Sequence, residues 1–256
     1  MSMIEDLFSL RGRTALVTGG SSGIGYAMAE AIAGAGARTV LLARREGALK
    51  EAARQITAQG GEAHAVIADV TDRERLAAAA EEAVELVGEI DIVVNCAANM
   101  YRPPLGELTV AQWDELFAAC VDAPFLLGQR FGPRMAARGW GRIINVGSQQ
   151  TISAFGNSGG YGAAKAGVAG LTRSQAEAWS PRGVSVNTII PGFVLTPLTA
   201  ETAKDPERVE ALAQGHMVGR NGVPEDFRGA ALFLASAAAN FVTGQMLFVD
   251  GGFSVH

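Results

Sequence analysis

Short, uninterrupted apolar runs alternate along the chain with longer stretches in which apolar residues recur at helical spacing, and glycines separate the two. Residues 14–17 (Thr-Ala-Leu-Val) read as a buried strand that runs into Thr18-Gly19-Gly20-Ser21-Ser22-Gly23-Ile24-Gly25. An alanine-rich helix is predicted over about 26–33, ended by Gly34 and Gly36. Strands follow at 38–43, 65–68, 90–94, 143–146, 184–190 and 245–249. Helices are predicted at 48–59 with Gly60-Gly61 as the stop, in two stretches over 110–138, and at 161–180, 206–214 and 226–237. Thr71 is the predicted cap of a further helix, with Glu74 in capping-box spacing. Strands that are apolar throughout are buried on both faces. With no linker, low-complexity tract or repeat in between, the alternation predicts one α/β domain over residues 1–256, a doubly wound parallel sheet with helices on both faces.

Composition narrows the partners. At 256 residues and 48% hydrophobic content the chain can bury a substantial core. Charged residues make up 18%, and the net charge of −5 argues against nucleic acid, so an anionic ligand needs local positive potential. The N-terminus lacks a basic segment leading into an apolar one, and no apolar run reaches about 18 residues. A soluble cytoplasmic protein with no membrane partner is expected. Cys96 and Cys120 alone make neither a disulfide framework nor a metal cluster, and no metal is expected.

Two stretches carry candidate chemistry. In Tyr161-Gly-Ala-Ala-Lys165 a helix would put the phenol and the ammonium on one face. A neighbouring cation favours phenolate, which would bring a tyrosine down from about 10 toward working pH. A surface helix with chance Tyr/Lys spacing is the other reading. Ser148 ends the strand that precedes this segment. The glycine turn at 18–25 lies between the first strand and the first long helix, where glycines let backbone approach a pyrophosphate and free N–H groups supply positive potential. An ordinary tight turn is its alternative.

Together TGGSSGIG at 18–25, Asp69-Val70, Ser148, YGAAK at 161–165 and Pro191-Gly192 resemble the classical short-chain dehydrogenase/reductase family, in the right order over essentially the whole chain. The resemblance implies a Rossmann-type fold and an oxidoreductase that interconverts a secondary alcohol and a ketone. Ser148 would hydrogen-bond the substrate oxygen, Tyr161 would exchange its proton, and Lys165 would tune Tyr161 while binding the nicotinamide ribose. Gly19, Ser21, Ser22, Gly23, Ile24 and Gly25 would cradle the pyrophosphate. In the family an acid at the end of the second strand selects NAD and a base just after it selects NADP. Here Ala43 is followed by Arg44-Arg45, so NADP is expected, with NAD possible because Ser22 stands where many NADP-using relatives carry a base. A solvated basic turn balanced by Glu46 is the alternative reading.

The resemblance further implies that Asp69 and Val70 meet the adenine, that Asn95 lines the cofactor and ties strands, and that Pro191, Gly192, Val194 and Thr196 hold the carboxamide. Asp69 starting the next helix, and a plain strand-to-loop transition at 191–196, are the alternatives. The chain reads NCAA at 95–98 where the family has NNAG, and Cys120 stands where the family carries a catalytic Asn. A cysteine keeps the main-chain carbonyl of the proton relay and loses the amide. A modified relay is expected, decayed catalysis is the competing reading, and a nucleophilic Cys120 lacks a nearby histidine in sequence. Substrate candidates by position are Met100, Tyr101, Arg102, Gln149, Gln150, Phe155, Asn157, Phe193 and a lid-like segment at about 197–219. Arg102 would meet a carboxylate or stand in solvent. The residues at 6–10, the Ser-Gln-Gln arrangement and the basic turn are similar to gluconate 5-dehydrogenase-like members, which implies a small sugar-acid-like substrate. A 3-oxoacyl-carrier-protein reductase-like ketoreductase is the alternative, and a homotetramer is the family expectation.

Overall fold

The computed structural model describes residues 2–255. Its first element was not legible as structure: the polar lead is a short helix, α1 (Met3–Phe8), closed by a reciprocal capping box between Ser2 and Glu5. The sheet strands are β1 (Thr14–Thr18), β2 (Arg38–Ala43), β3 (Glu62–Ile67), β4 (Ile92–Asn95), β5 (Gly141–Val146), β6 (Val184–Pro191) and β7 (Met246–Val249). All pair in parallel, in the order β3-β2-β1-β4-β5-β6-β7. Every residue of β1, β4, β5 and β6 is buried, as central strands covered on both faces require, and their polar members, such as Asn145 and Thr188, are hydrogen-bonded inside.

Helices cover both faces: α2 (Gly23–Gly34), α3 (Glu46–Ala58), α4 (Arg73–Val87), α5 (Val110–Phe117), α6 (Ala123–Arg138), α7 (Gly159–Trp179), α8 (Ala200–Ala203), α9 (Pro206–Gln214) and α10 (Arg228–Ala235). Val17, Leu41, Met28, Ile32 and Phe227 centre one apolar layer. Leu16, Val40, Val93, Leu76 and Phe131 centre the other. Adjacent residues of β1 and β2 thus feed opposite layers, as the pleat requires. Among the described residues no helix is long and apolar enough to cross a membrane.

Three local expectations are corrected. Asp72, not Thr71, caps α4, accepting from Arg75 N; Thr71 instead gives its N–H and hydroxyl to the Asp69 carboxylate. The stretch over 110–138 is continuous but changes pitch through a π-turn at Ala118–Asp122. The cause is Pro124: it has no N–H to offer the Cys120 carbonyl four residues back, and its ring crowds that carbonyl. The helix expected at 226–237 is a 3₁₀ turn (Pro224–Phe227), α10, and a break at Ser236, whose backbone is extended.

The chain order steps outward from β1 on one side to β2 and β3, and on the other to β4 and β5. Such a reversal leaves a crevice above the carboxyl ends of the strands. A buried polar ladder holds this region together. Asn95 Nδ2 donates to Asn145 Oδ1 (2.8 Å), Asn145 Nδ2 donates to Thr172 Oγ1 (2.8 Å), and the Thr172 and Thr188 hydroxyls meet at 2.7 Å. It joins β4, β5, α7 and β6 through side-chain bonds at each step, with only the Asn95 Oδ1 end left without a partner among the described residues.

Candidate active site

A cleft of about 490 Å³ opens above β1, β2, β4, β5 and β6. Its floor at one end is the turn into α2. Gly25 packs so closely that an added Cβ would lie 2.4 Å from the Gly19 carbonyl oxygen, so only glycine allows this turn. Ser22, the N-cap, makes no side-chain cap, and its Oγ accepts from Arg45 Nη2 at 3.1 Å instead. The first-turn N–H groups of α2 therefore have no side chain of their own to satisfy them, which is the condition for holding an anion.

Arg44 lies beside them at the end of β2. Its guanidinium donates to Asp69 Oδ2 (3.2 Å) and Asn99 Oδ1 (3.4 Å). Burial pushes Asp69 up, but the two bonds from Thr71 and the Arg44 charge outweigh it and hold the carboxyl below its ordinary range. The residues fit a nicotinamide dinucleotide: uncapped helix N–H groups at the glycine turn and the guanidiniums of Arg44 and Arg45 line the same cleft.

Tyr161 and Lys165 stand one turn apart on α7, both buried. Lys165 Nζ donates to the Val146 carbonyl at 2.7 Å and lies 5.6 Å from the centroid of the Tyr161 ring. Val146 ends β5, so that bond locks α7 to the strand carrying Ser148 into the cleft. The surroundings of Tyr161 correct the sequence expectation. Burial pushes the phenol up and outweighs the downward pull of Lys165 and of the Ser148 hydroxyl, so the net shift in the cofactor-free chain is upward. Burial pushes Lys165 down, but Cys120, Tyr161 and Cys96 around it turn the net shift upward, so the ammonium stays charged. Burial also carries the Cys96 thiol up to about 11, which leaves it an inert apolar neighbour.

Of the residues singled out from sequence, the glycine turn from Gly19 to Gly25, Arg44, Arg45, Asp69, Val70, Arg102, Ser148, Gln150, Tyr161, Lys165, Pro191, Gly192, Phe193, Val194 and Thr196 come together in this one cleft. Asn95 and Cys120 do not line it. Asn95 sits behind the wall in the polar ladder. The Cys120 side chain is buried in a small cluster with Leu116, Tyr161, Ala164 and Val168, so it packs against the phenol instead of facing the cleft. Tyr101 and Asn157 also lie off the cleft wall. Tyr101 bonds Glu115, which also accepts from Asn99.

Two residues of the lid-like segment were not singled out from sequence. Arg208, on α9, lines the cleft. His216, fully buried, ties the lid to the loop after β6: its Nδ1 lies 2.6 Å from the Leu212 carbonyl and its Nε2 accepts from Phe193 N–H at 3.3 Å. The Phe193 bond fixes the neutral tautomer with the proton on Nδ1.

A family model described as Enoyl-(Acyl carrier protein) reductase matches residues 19–254. The chain is 38% identical to gluconate 5-dehydrogenase of Gluconobacter oxydans (strain 621H) over 250 residues, 98% of each protein. It is 42% identical to galactitol 2-dehydrogenase (L-tagatose-forming) of Cereibacter sphaeroides over 253 residues, 97% of this chain and 98% of that one. Among solved structures, a gluconate 5-dehydrogenase from Burkholderia cenocepacia J2315 in complex with NADP and tartrate superposes with a TM-score of 0.93 at 37% identity, covering 99% of both chains. With this fold, this cleft and relatives of this kind over nearly its full length, the chain belongs to the short-chain dehydrogenase/reductase family of oxidoreductases.

Proposed function

We propose that the chain is an NADP(H)-dependent oxidoreductase that interconverts a secondary alcohol and a ketone on a small hydroxylated substrate of the sugar-acid kind. The observation that carries this reading is the convergence of Ser148, Tyr161 and Lys165 on the cleft that also holds the α2 turn, Arg44 and Arg45. The relatives named above act on gluconate and galactitol, and one solved relative holds NADP.

A nicotinamide cofactor, when bound, supplies or accepts the hydride. The chain's own residues do the rest. Ser148 Oγ and the Tyr161 hydroxyl hydrogen-bond the substrate oxygen and stabilise the negative charge that grows there. Tyr161 gives that oxygen a proton in reduction and takes one in oxidation. Lys165, charged and held on Val146 O, stabilises the phenolate left behind. The Cys120 carbonyl, which Pro124 cannot engage, would hold the water through which protons reach Lys165, so its side chain is dispensable for turnover.

Titration of the purified chain with NADPH and NADH, followed by sugar acids, polyols and keto-acids, tests this reading. NADPH is expected to bind more tightly. The double variant Arg44→Ala/Arg45→Ala is expected to weaken NADPH by about 10- to 100-fold, the worth of one or two charge-assisted bonds, with little effect on NADH. Equal loss for both cofactors, or no turnover on any panel member, would count against the assignment. We also read the chain as a homotetramer, because Val110 (76% exposed) and Trp113 (39%) leave the outer face of α5 apolar. Light scattering that returned a monomer at micromolar concentration would remove that reading.

A further inference from the structure

Two guanidiniums from separate parts of the chain line the same cleft. Arg102 belongs to the loop after β4, and Arg208 to the first turn of α9 in the lid. Arg102 is half-buried, and its side chain has only neutral partners: Nη1 donates to Thr202 Oγ1 and Nε to Met100 Sδ, both at 3.3 Å. Arg208 gives its backbone N–H to the Asp205 cap at 3.1 Å, and among the described residues its guanidinium forms no ion pair. Two acids of the lid are engaged elsewhere, Glu201 on Lys204 and Glu210 on Gln214. Burial pushes Arg102 down and the Arg208 charge pushes it further, while Tyr161 opposes both. The two cations thus feel each other, and Arg102 also feels the phenol proposed to move the proton. A half-buried cation that has only neutral hydrogen-bond partners and is repelled by a second cation is an arrangement that an incoming anion relieves.

We propose that Arg102 on the fixed wall and Arg208 on the lid clamp the carboxylate of the substrate, so that a negatively charged substrate draws α9 over the cleft and Arg208 sets the preference for sugar acids over neutral polyols. This rests on the dehydrogenase reading above and narrows it. Each guanidinium offers paired donors in the geometry of a carboxylate, which an ammonium does not. Because one of them rides on the lid, the anion binds the closed arrangement better than the open one, and that difference is the only thing that can shift the lid. Arg102 already holds α8 through Thr202, so the lid lies within reach of the fixed wall before substrate enters.

The test compares the wild-type chain, Arg208→Gln and Arg208→Lys on gluconate and on galactitol. Arg208→Gln is expected to lower kcat/KM for gluconate by about 10- to 100-fold and that for galactitol by far less, with Arg208→Lys recovering only part of the gluconate loss. Equal effects on both substrates, or no effect on gluconate, would overturn the clamp while leaving the dehydrogenase reading intact. A second measurement does not depend on turnover: calorimetric titration of the NADPH-loaded protein with tartrate, a hydroxylated dicarboxylate. Saturable binding that is lost in Arg208→Gln supports the clamp even if no alcohol is oxidised. Absence of saturable tartrate binding in the wild-type chain overturns it, whatever else the protein turns over.

Discussion

Tyr161→Phe is expected to lower kcat by about 10²- to 10⁴-fold, the usual worth of a positioned general acid, while the protein stays folded and binds NADPH as before. The reason lies in the packing. Tyr161 fills an apolar cluster with Leu116, Cys120, Ala164 and Val168, and phenylalanine fills the same space without the hydroxyl. Lys165 keeps its bond to Val146 O, so its position beside the cleft is not disturbed. The pH profile gives a separate readout. Burial holds the phenol above its ordinary value, so at neutral pH Tyr161 is protonated, the form that the proposed reduction needs. Alcohol oxidation needs the phenolate and should climb as pH rises toward that pKa. Reduction should stay flat and fall only above it, and the phenylalanine variant should lose both limbs. Cys120→Ala is the contrasting variant: it keeps the main-chain carbonyl, should leave kcat and its pH profile unchanged, and should cost about 1 kcal/mol of stability for the lost packing. Steady-state kinetics across pH decides between them. A Tyr161→Phe enzyme with intact turnover would remove the proposed acid, and a Cys120→Ala enzyme without turnover would show that the thiol itself matters.

Gly183→Ala should be the most damaging conservative change to the fold. Gly183 joins the turn after α7 to β6 with φ of +83°, and an added Cβ would sit 2.1 Å from the Gly139 carbonyl oxygen. Both atoms involved are backbone, so no side chain can swing away, and the β5–β6 pairing that begins Gly141↔Val184 must shift. A left-handed alanine alone costs about 1–2 kcal/mol, and the forced displacement is expected to bring the total to about 3–4 kcal/mol. For a chain of this size that corresponds to roughly 10 °C in Tm. Gly139→Ala separates the two causes. Its φ is +72°, but an added Cβ meets nothing within 4 Å, so only the backbone strain remains, about 1–2 kcal/mol. Thermal melts of the two variants that coincided would show that the contact with Gly139 is not limiting.

The sheet was legible in the sequence because parallel strands buried on both faces read as short, mostly apolar runs, and residues 14–17, 38–43 and 184–190 show such runs, with Arg38 exposed at the start of its strand and Ser185, Asn187 and Thr188 buried as polar exceptions. The exact agreement at β2 and at α9, where Asp205 and Pro206 mark the start, shows how far local chemistry reaches. It failed where two caps compete: Thr71 and Asp72 are both good N-caps, and Asp69 decided the matter by drawing Thr71 away. The six-residue α1 was missed because so short a helix has no apolar period to read, only a capping box.

Within the site, the spacing of Tyr161 and Lys165 and the glycines of the first turn were set by local geometry, so the sequence alone determined them. The direction in which the Tyr161 phenol shifts was not. It depends on how much water the fold removes from it, and burial proved stronger than the neighbouring ammonium. Arg208 likewise looks like one more charge on an amphipathic helix until the fold places it on the wall of the cleft that Arg102 also lines. Contacts within one turn of helix or one strand follow from residues a few positions apart. Desolvation and the meeting of distant charges exist only once the chain has closed on itself, and only the tertiary structure decides them.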